Sequence, residues 1–189
     1  MAAVEGLPGA GKTSFAATAA MLLPEVTVLP ELILPLPKPP VKADVSFFAS
    51  NDLAKITAAR LSPLVLLDRT WFSTVAYVIA RERMLGRQPD PLRTVDNLYG
   101  RVPRIPDLCI FIDSSSAHAL GFSQDGFFPY LHFRALLRAA YLELFREFVP
   151  RKAVCIVPDN SQAWALPRLQ REFAAAKAGQ AGLACPLPP

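Results

Sequence analysis

The stretch VEGLPGAGKTSF, residues 4–15, constrains the fold more than any other part of the chain. Gly6, Gly11, Lys12 and Thr13 fit the spacing G-x-x-x-x-G-K-[S/T] without a gap. Glycine tolerates positive φ and close backbone approach, so the loop from Gly6 through Pro8, Gly9 and Ala10 to Gly11 can wrap a phosphate. The helix expected to start at Lys12, Thr13 and Ser14 adds its N-terminal dipole. Lys12 brings a mobile charge, and the Thr13 hydroxyl suits Mg²⁺. Average residue usage yields such a match by chance in on the order of one chain per hundred of this length. The apolar run before it and the helical run after it make a nucleotide-phosphate site the reading, with Mg²⁺ expected beside Thr13.

The rest of the chain repeats that strand-then-helix order. Short apolar runs at 2–4, 26–29, 64–67, 108–112 and 153–157 are strand-length, and helix-length segments lie between them. Helices are expected at 12–23, about 52–60, 73–85, 131–148 and 161–177. Alternation of this kind specifies a parallel sheet covered on both faces. The fold class expected is α/β, a three-layer P-loop nucleoside triphosphate hydrolase fold with a five-stranded parallel sheet flanked by helices. The proline-rich segment 34–45 reads as an extended surface loop. Residues 114–130, with polar and glycine punctuation among aromatics, read as a short helix and mobile loop, here called the lid. One domain over 1–178 is expected, followed by a flexible tail at 179–189.

Composition narrows the function classes. Hydrophobic residues make up 52% of the chain, but no run approaches the ~20 apolar residues of a membrane span. No basic segment precedes an apolar core at the start, so neither a leader nor a membrane partner is expected. The net charge of +4 is scattered, and no basic stripe with interleaved aromatics argues for nucleic acid. Cys109, Cys155 and Cys185 lack metal-ligand spacing, and Cys109 and Cys155, inside apolar runs, read as small hydrophobes in a reducing cytoplasm.

A second chemical feature is LVLLDRTWFSTVAY, which places Asp68 and Arg69 at the carboxyl end of a buried strand. Ligands bind at that edge of open α/β sheets. An aspartate there can orient Mg²⁺ beside Thr13, making Thr13 and Asp68 the metal candidates, and an arginine can stabilise a transferring phosphoryl group. On the acceptor side, Phe48, Asn51, Trp71 and Tyr77 serve either as contacts to a base, by stacking and amide hydrogen bonds, or as helix-to-sheet packing.

These stretches, VEGLPGAGKT and DRTWFSTVAY, together with PDLCIFID followed by FRALLRAAYLEL, resemble the thymidylate kinase family and its deoxynucleoside kinase relatives over about residues 4–159. The resemblance implies five parallel strands, ATP over the phosphate loop and an acceptor beside Asp68 and Arg69. It assigns Lys12 to the donor phosphates, Arg69 to phosphate positioning and Glu31, in VLPELI, to the base that takes a proton from the acceptor hydroxyl. It also suggests a homodimer, for which the apolar helix at 70–85 offers surface.

The same resemblance exposes departures. Asp52, in FFASND, stands where the family's arginine grips an acceptor monophosphate. In the lid, Gly126 and Phe128 replace an arginine and an acid. No Lys or Arg occurs from 105 to 133. Arg134 or Arg138, or else Arg101 or Arg104, could supply the missing cation. The function expected is therefore transfer of the γ-phosphoryl of Mg·ATP to a nucleoside, nucleoside monophosphate or nucleoside-like hydroxyl. The alternatives are a catalytically reduced ATP-binding regulatory protein and a kinase of a specialised metabolite.

Overall fold

A computed structural model describes residues 1–38, 43–113, 131–158 and 162–177. The strands are β1 (Ala2–Gly6), β2 (Thr27–Leu29), β3 (Val65–Asp68), β4 (Leu108–Asp113) and β5 (Val154–Pro158). The helices are α1 (Lys12–Leu22), α2 (Val45–Ala58), α3 (Trp71–Met84), α4 (Pro91–Tyr99), α5 (Leu131–Phe148) and α6 (Gln162–Lys177). All strand pairs are parallel, in the order β2-β3-β1-β4-β5. Each strand lies on one of the five apolar runs, and the architecture is the expected three-layer P-loop fold.

The pleat explains why the runs are continuously apolar. Along β4, Cys109 and Phe111 face one core while Leu108, Ile110 and Ile112 face the other, as a strand buried on both sides requires. The first core lies under α3 and α5 and includes Trp71, Phe72, Ile79, Tyr141 and Phe145. The second lies under α1 and α6 and includes Phe15, Ala19, Leu169 and Phe173. β1 is the central strand, so the loop that leaves it emerges at the middle of the sheet's carboxyl edge.

Three expectations change. α2 begins at Val45 rather than near 52, because the Asp44 carboxylate caps it by accepting from the Phe47 N–H at 3.0 Å. α3 begins at Trp71 rather than Ser73, with Thr70 as its cap. α4 was not expected at all, yet Asp90 caps it, Pro91 opens it and Gly100 ends it at φ 67°. The lid at 114–130 and the tail at 179–189 lie outside the described residues.

The apolar stripe of the helix at 70–85 faces inward. Trp71, Phe72, Val75, Ala76, Ile79 and Ala80 of α3 are buried within the chain itself, so that stripe is spent on the core. Cys109 and Cys155 are both buried, as expected. Among the described residues, no helix is long and apolar enough to cross a membrane.

Candidate active site

The loop after β1 has the backbone its glycines predict. Gly6, Gly9 and Gly11 have φ of 145°, 77° and 86°. At Gly6 a Cβ would also fall 2.5 Å from the Ile112 carbonyl oxygen, so both conformation and space demand glycine there. Pro8 is half-buried and Gly9 exposed at the crest of the loop, and the Ala10 N–H bonds back to the Leu7 carbonyl at 3.1 Å. Gly11 caps α1 in the left-handed region, which leaves the first N–H groups of the helix, around Lys12, Thr13 and Ser14, turned toward the loop.

Lys12 is buried, and its Nζ donates to the Leu7 carbonyl at 2.7 Å. Burial, reinforced by Arg69, pushes its pKa down to about 7 against the pull of Glu31, Asp68 and Glu5. A phosphate in the loop would displace the carbonyl and restore the charge.

Thr13 and Asp68 come together across the sheet edge, the Thr13 hydroxyl donating to Asp68 Oδ2 at 2.8 Å. Asp68 Oδ1 is buried with no hydrogen-bond partner among the described residues. A hydroxyl beside an orphaned carboxylate oxygen is a donor set that fits Mg²⁺. No cluster of three or more acidic, histidine or cysteine side chains capable of holding a metal occurs among the described residues. That combination suits an ion shared with substrate phosphates rather than one caged by protein.

Arg69 is, among the described residues, the one non-glycine residue with positive φ, at 66°. Such a conformation persists only where the surroundings hold it, and here two contacts do so. Its N–H continues the sheet by bonding the Val4 carbonyl at 3.0 Å. Its carbonyl, with that of Asp68, is gripped by the buried Lys55 ammonium at 2.8 and 2.6 Å. The Lys55 Nζ reaches the Glu31 carbonyl as well, at 3.3 Å. Burial lowers the pKa of Lys55, opposed by Asp52, Glu5, Asp68 and Glu31. Lys55 was not singled out from the sequence.

The strained backbone turns the Arg69 side chain toward Glu31. Arg69 Nε lies 2.9 Å from Glu31 Oε1, and the Glu31 side chain is 47% exposed. The N–H is not aligned for a directed hydrogen bond, so the contact is an ion pair that a ligand can rearrange. Glu31, Arg69, Asp68, Thr13 and Lys12 thus meet at one edge of the sheet.

A second residue that sequence reasoning passed over is Glu5, an acid inside an otherwise apolar strand. Its carboxylate is buried and accepts from the Thr70 and Ser73 hydroxyls, both at 2.6 Å. Burial nevertheless raises its pKa to about 7. The Ser73 hydroxyl also shares a 2.7 Å hydrogen bond with the Tyr141 hydroxyl. One hydrogen-bonded chain therefore ties β1, α3 and α5, which hold three of the four stretches that carried the family resemblance.

No family model matches the chain, and no curated protein matches it in sequence. Solved structures do. A thymidylate kinase from Candida albicans superposes with a TM-score of 0.65 over 93% of this chain and 91% of its own, at 16% identity. A deoxyadenosine kinase from M. mycoides, solved with the products dCMP and dCDP, gives a TM-score of 0.66 over 92% and 98%, at 15% identity. A thymidylate kinase from Ehrlichia chaffeensis gives 0.58 over 92% and 97%, also at 15% identity. The chain has the fold of thymidylate and deoxynucleoside kinases.

The residues expected to face an acceptor are the ones whose placement differs most from expectation. Trp71 is 0% exposed and stacks on Phe72 at 3.9 Å, with its indole N–H donating to the Arg104 carbonyl at 3.3 Å. It is core packing, because the first turn of α3 faces the sheet. Asn51 is buried and committed to its own chain. Its Oδ1 accepts from the Ile33 and Leu34 N–H groups, and its Nδ2 donates to the Glu31 carbonyl at 2.9 Å. Instead of reading a base, it fixes the segment that carries Glu31. Phe48 and Tyr77 are partly exposed, the former edge-on to Phe47 and the latter to Phe133.

Asp52 is likewise enclosed. The Thr74 and Tyr99 hydroxyls both donate to its Oδ2, at 2.7 and 2.8 Å. Burial raises its pKa to about 6 despite those bonds. It knits α2 to α3 and α4 rather than standing open to a monophosphate.

Proposed function

We propose that this chain is an Mg·ATP-dependent kinase that phosphorylates a hydroxyl on a nucleoside or nucleoside-like acceptor. The observation that carries the reading is the Glu31–Arg69 pair, a half-exposed carboxylate 2.9 Å from a backbone-strained arginine at the edge where Lys12, Thr13 and Asp68 converge. The fold supports it, since a deoxyadenosine kinase with the same fold has been solved with dATP bound.

In this reading the loop and Lys12 hold the donor phosphates, and Thr13 and Asp68 would hold Mg²⁺, which would offset the negative charge of those phosphates. Glu31 accepts the proton of the acceptor hydroxyl within hydrogen-bond reach. The acceptor oxygen forms its bond to the γ-phosphorus as the bond to the β–γ bridging oxygen breaks, leaving ADP. Arg69 changes partner from Glu31 to the transferring group as charge builds there. Phe48 and Tyr77, both partly exposed, are the remaining acceptor-side candidates.

One observation favours a second reading, an ATP-binding protein with reduced turnover: the absence of any lysine or arginine from 105 to 133. Purified protein with Mg·ATP and a panel of nucleosides, nucleoside monophosphates and related alcohols separates the two. Phosphorylated product above a Lys12→Ala control supports the kinase. ATP binding without product on any acceptor supports the regulator.

A further inference from the structure

Arg134 lies in the first turn of α5, yet it is only 6% exposed. Its Nη1 crosses to the phosphate loop and donates to the Pro8 carbonyl at 3.2 Å. Its Nη2 is buried with no hydrogen-bond partner among the described residues. Neither does any described ion pair include it, whereas Arg69, Arg138 and Arg168 pair with Glu31, Asp113 and Glu172.

An unsatisfied N–H on a buried cation is costly, more so than on a neutral group. Its position suggests what offsets that cost. Lys12 donates to the Leu7 carbonyl and Arg134 to the next carbonyl, that of Pro8. Two cations, one from α1 and one from α5, thus rest on consecutive carbonyls of the loop.

We propose that Arg134 is a catalytic residue that binds the terminal phosphates of the donor nucleotide, supplying from α5 the cation that residues 105–133 lack. The inference rests on the kinase reading above. The free Nη2 engages a phosphate oxygen, and the planar guanidinium suits charge spread over several oxygens as the γ-phosphoryl transfers. The other candidates are worse placed. Arg138 is held by Asp113 through three hydrogen bonds of 2.7 to 3.0 Å, Arg104 faces Asp107 at 3.8 Å, and Arg101 is exposed.

The test is calorimetric binding of Mg·ATP, Mg·ADP and AMP to the full chain and to Arg134→Gln, Arg134→Lys and Arg138→Gln, with thermal midpoints measured in parallel. Glutamine keeps an N–H for the Pro8 carbonyl and removes the charge. The expected result is an ATP affinity about 10- to 100-fold weaker in Arg134→Gln, a smaller loss for ADP, none for AMP, partial recovery in Arg134→Lys and no change in Arg138→Gln. ATP binding by Arg134→Gln equal to wild type overturns the proposal. So does an equal loss for all three nucleotides with a lowered midpoint, the mark of a loop prop. If wild-type protein binds no Mg·ATP, the kinase reading fails and this inference with it. Wild-type binding that ignores position 134 defeats the inference alone.

Discussion

Replacing Lys55 by methionine tests how the site is held. The side chain keeps its length and loses three hydrogen bonds to the Asp68, Arg69 and Glu31 carbonyls. Charge-assisted bonds contribute roughly 1.5–3 kcal/mol each, but the variant also escapes the desolvation of a buried ammonium. The net destabilisation is therefore a fraction of the gross sum, about 2–3 kcal/mol. For a chain of this size that lowers the melting midpoint by about 4–12 °C. The functional effect follows from Arg69, whose left-handed backbone costs of order 1–2 kcal/mol and is braced by Lys55. Once the brace is gone, the backbone can relax and carry the guanidinium away from Glu31. Misplacement by about 1 Å costs on the order of 10²-fold in turnover. Phosphoryl-transfer rates and ATP affinity, measured below the new midpoint, should show kcat down by about that factor with ATP affinity changed less than about threefold. Unchanged turnover in a folded Lys55→Met protein would refute the positioning argument. An unchanged midpoint would refute its energetics.

Two further predictions follow from buried charges. Asp52 has its pKa raised from 3.8 to about 6, so the folded state binds its proton more tightly than the unfolded state and wild-type stability falls as pH rises through that window. Asp52→Asn, whose amide oxygen can still accept from Thr74 and Tyr99, should gain on wild type from about pH 4 to 6, reaching an advantage of order 3 kcal/mol at neutral pH. Urea unfolding at several pH values checks this, and curves that stay parallel contradict it. Lys12, with its pKa lowered to about 7, regains its proton when a phosphate arrives. Mg·ATP binding at pH 8 should therefore take up close to one proton, and affinity should decline as pH rises above about 7. Calorimetry in buffers of different ionisation enthalpy reads the uptake, which Lys12→Ala should abolish.

The strands were legible because each lies in a sheet covered on both faces, where burial writes an uninterrupted apolar run. The phosphate loop was legible because its backbone demands glycine, as the 2.5 Å clearance at Gly6 shows. α4 was missed because its apolar positions form only a thin stripe, although Asp90, Pro91 and Gly100 spelled its ends. Residue type misled at Trp71 and Asn51, since an aromatic or amide beside a ligand edge packs inward as readily as it faces a ligand. Lys55 was beyond a residue-by-residue reading, and Arg134 could be named there only as one of four candidate cations. What makes them matter is which distant carbonyls they reach, and that depends on how α2 and α5 settle against the sheet edge.

The central claim is that Glu31, held by Arg69, accepts the proton of an acceptor hydroxyl as phosphate arrives from ATP. The most direct measurement is transfer of labelled γ-phosphate from Mg·ATP to the acceptor panel by wild-type protein and Glu31→Gln, with ATP affinity measured on both. The account predicts product from wild type, and in Glu31→Gln a rate lower by about 10²- to 10⁴-fold at nearly unchanged ATP affinity. A Glu31→Gln protein that transfers phosphate as fast as wild type would contradict it, as would wild-type protein that makes no product on any acceptor.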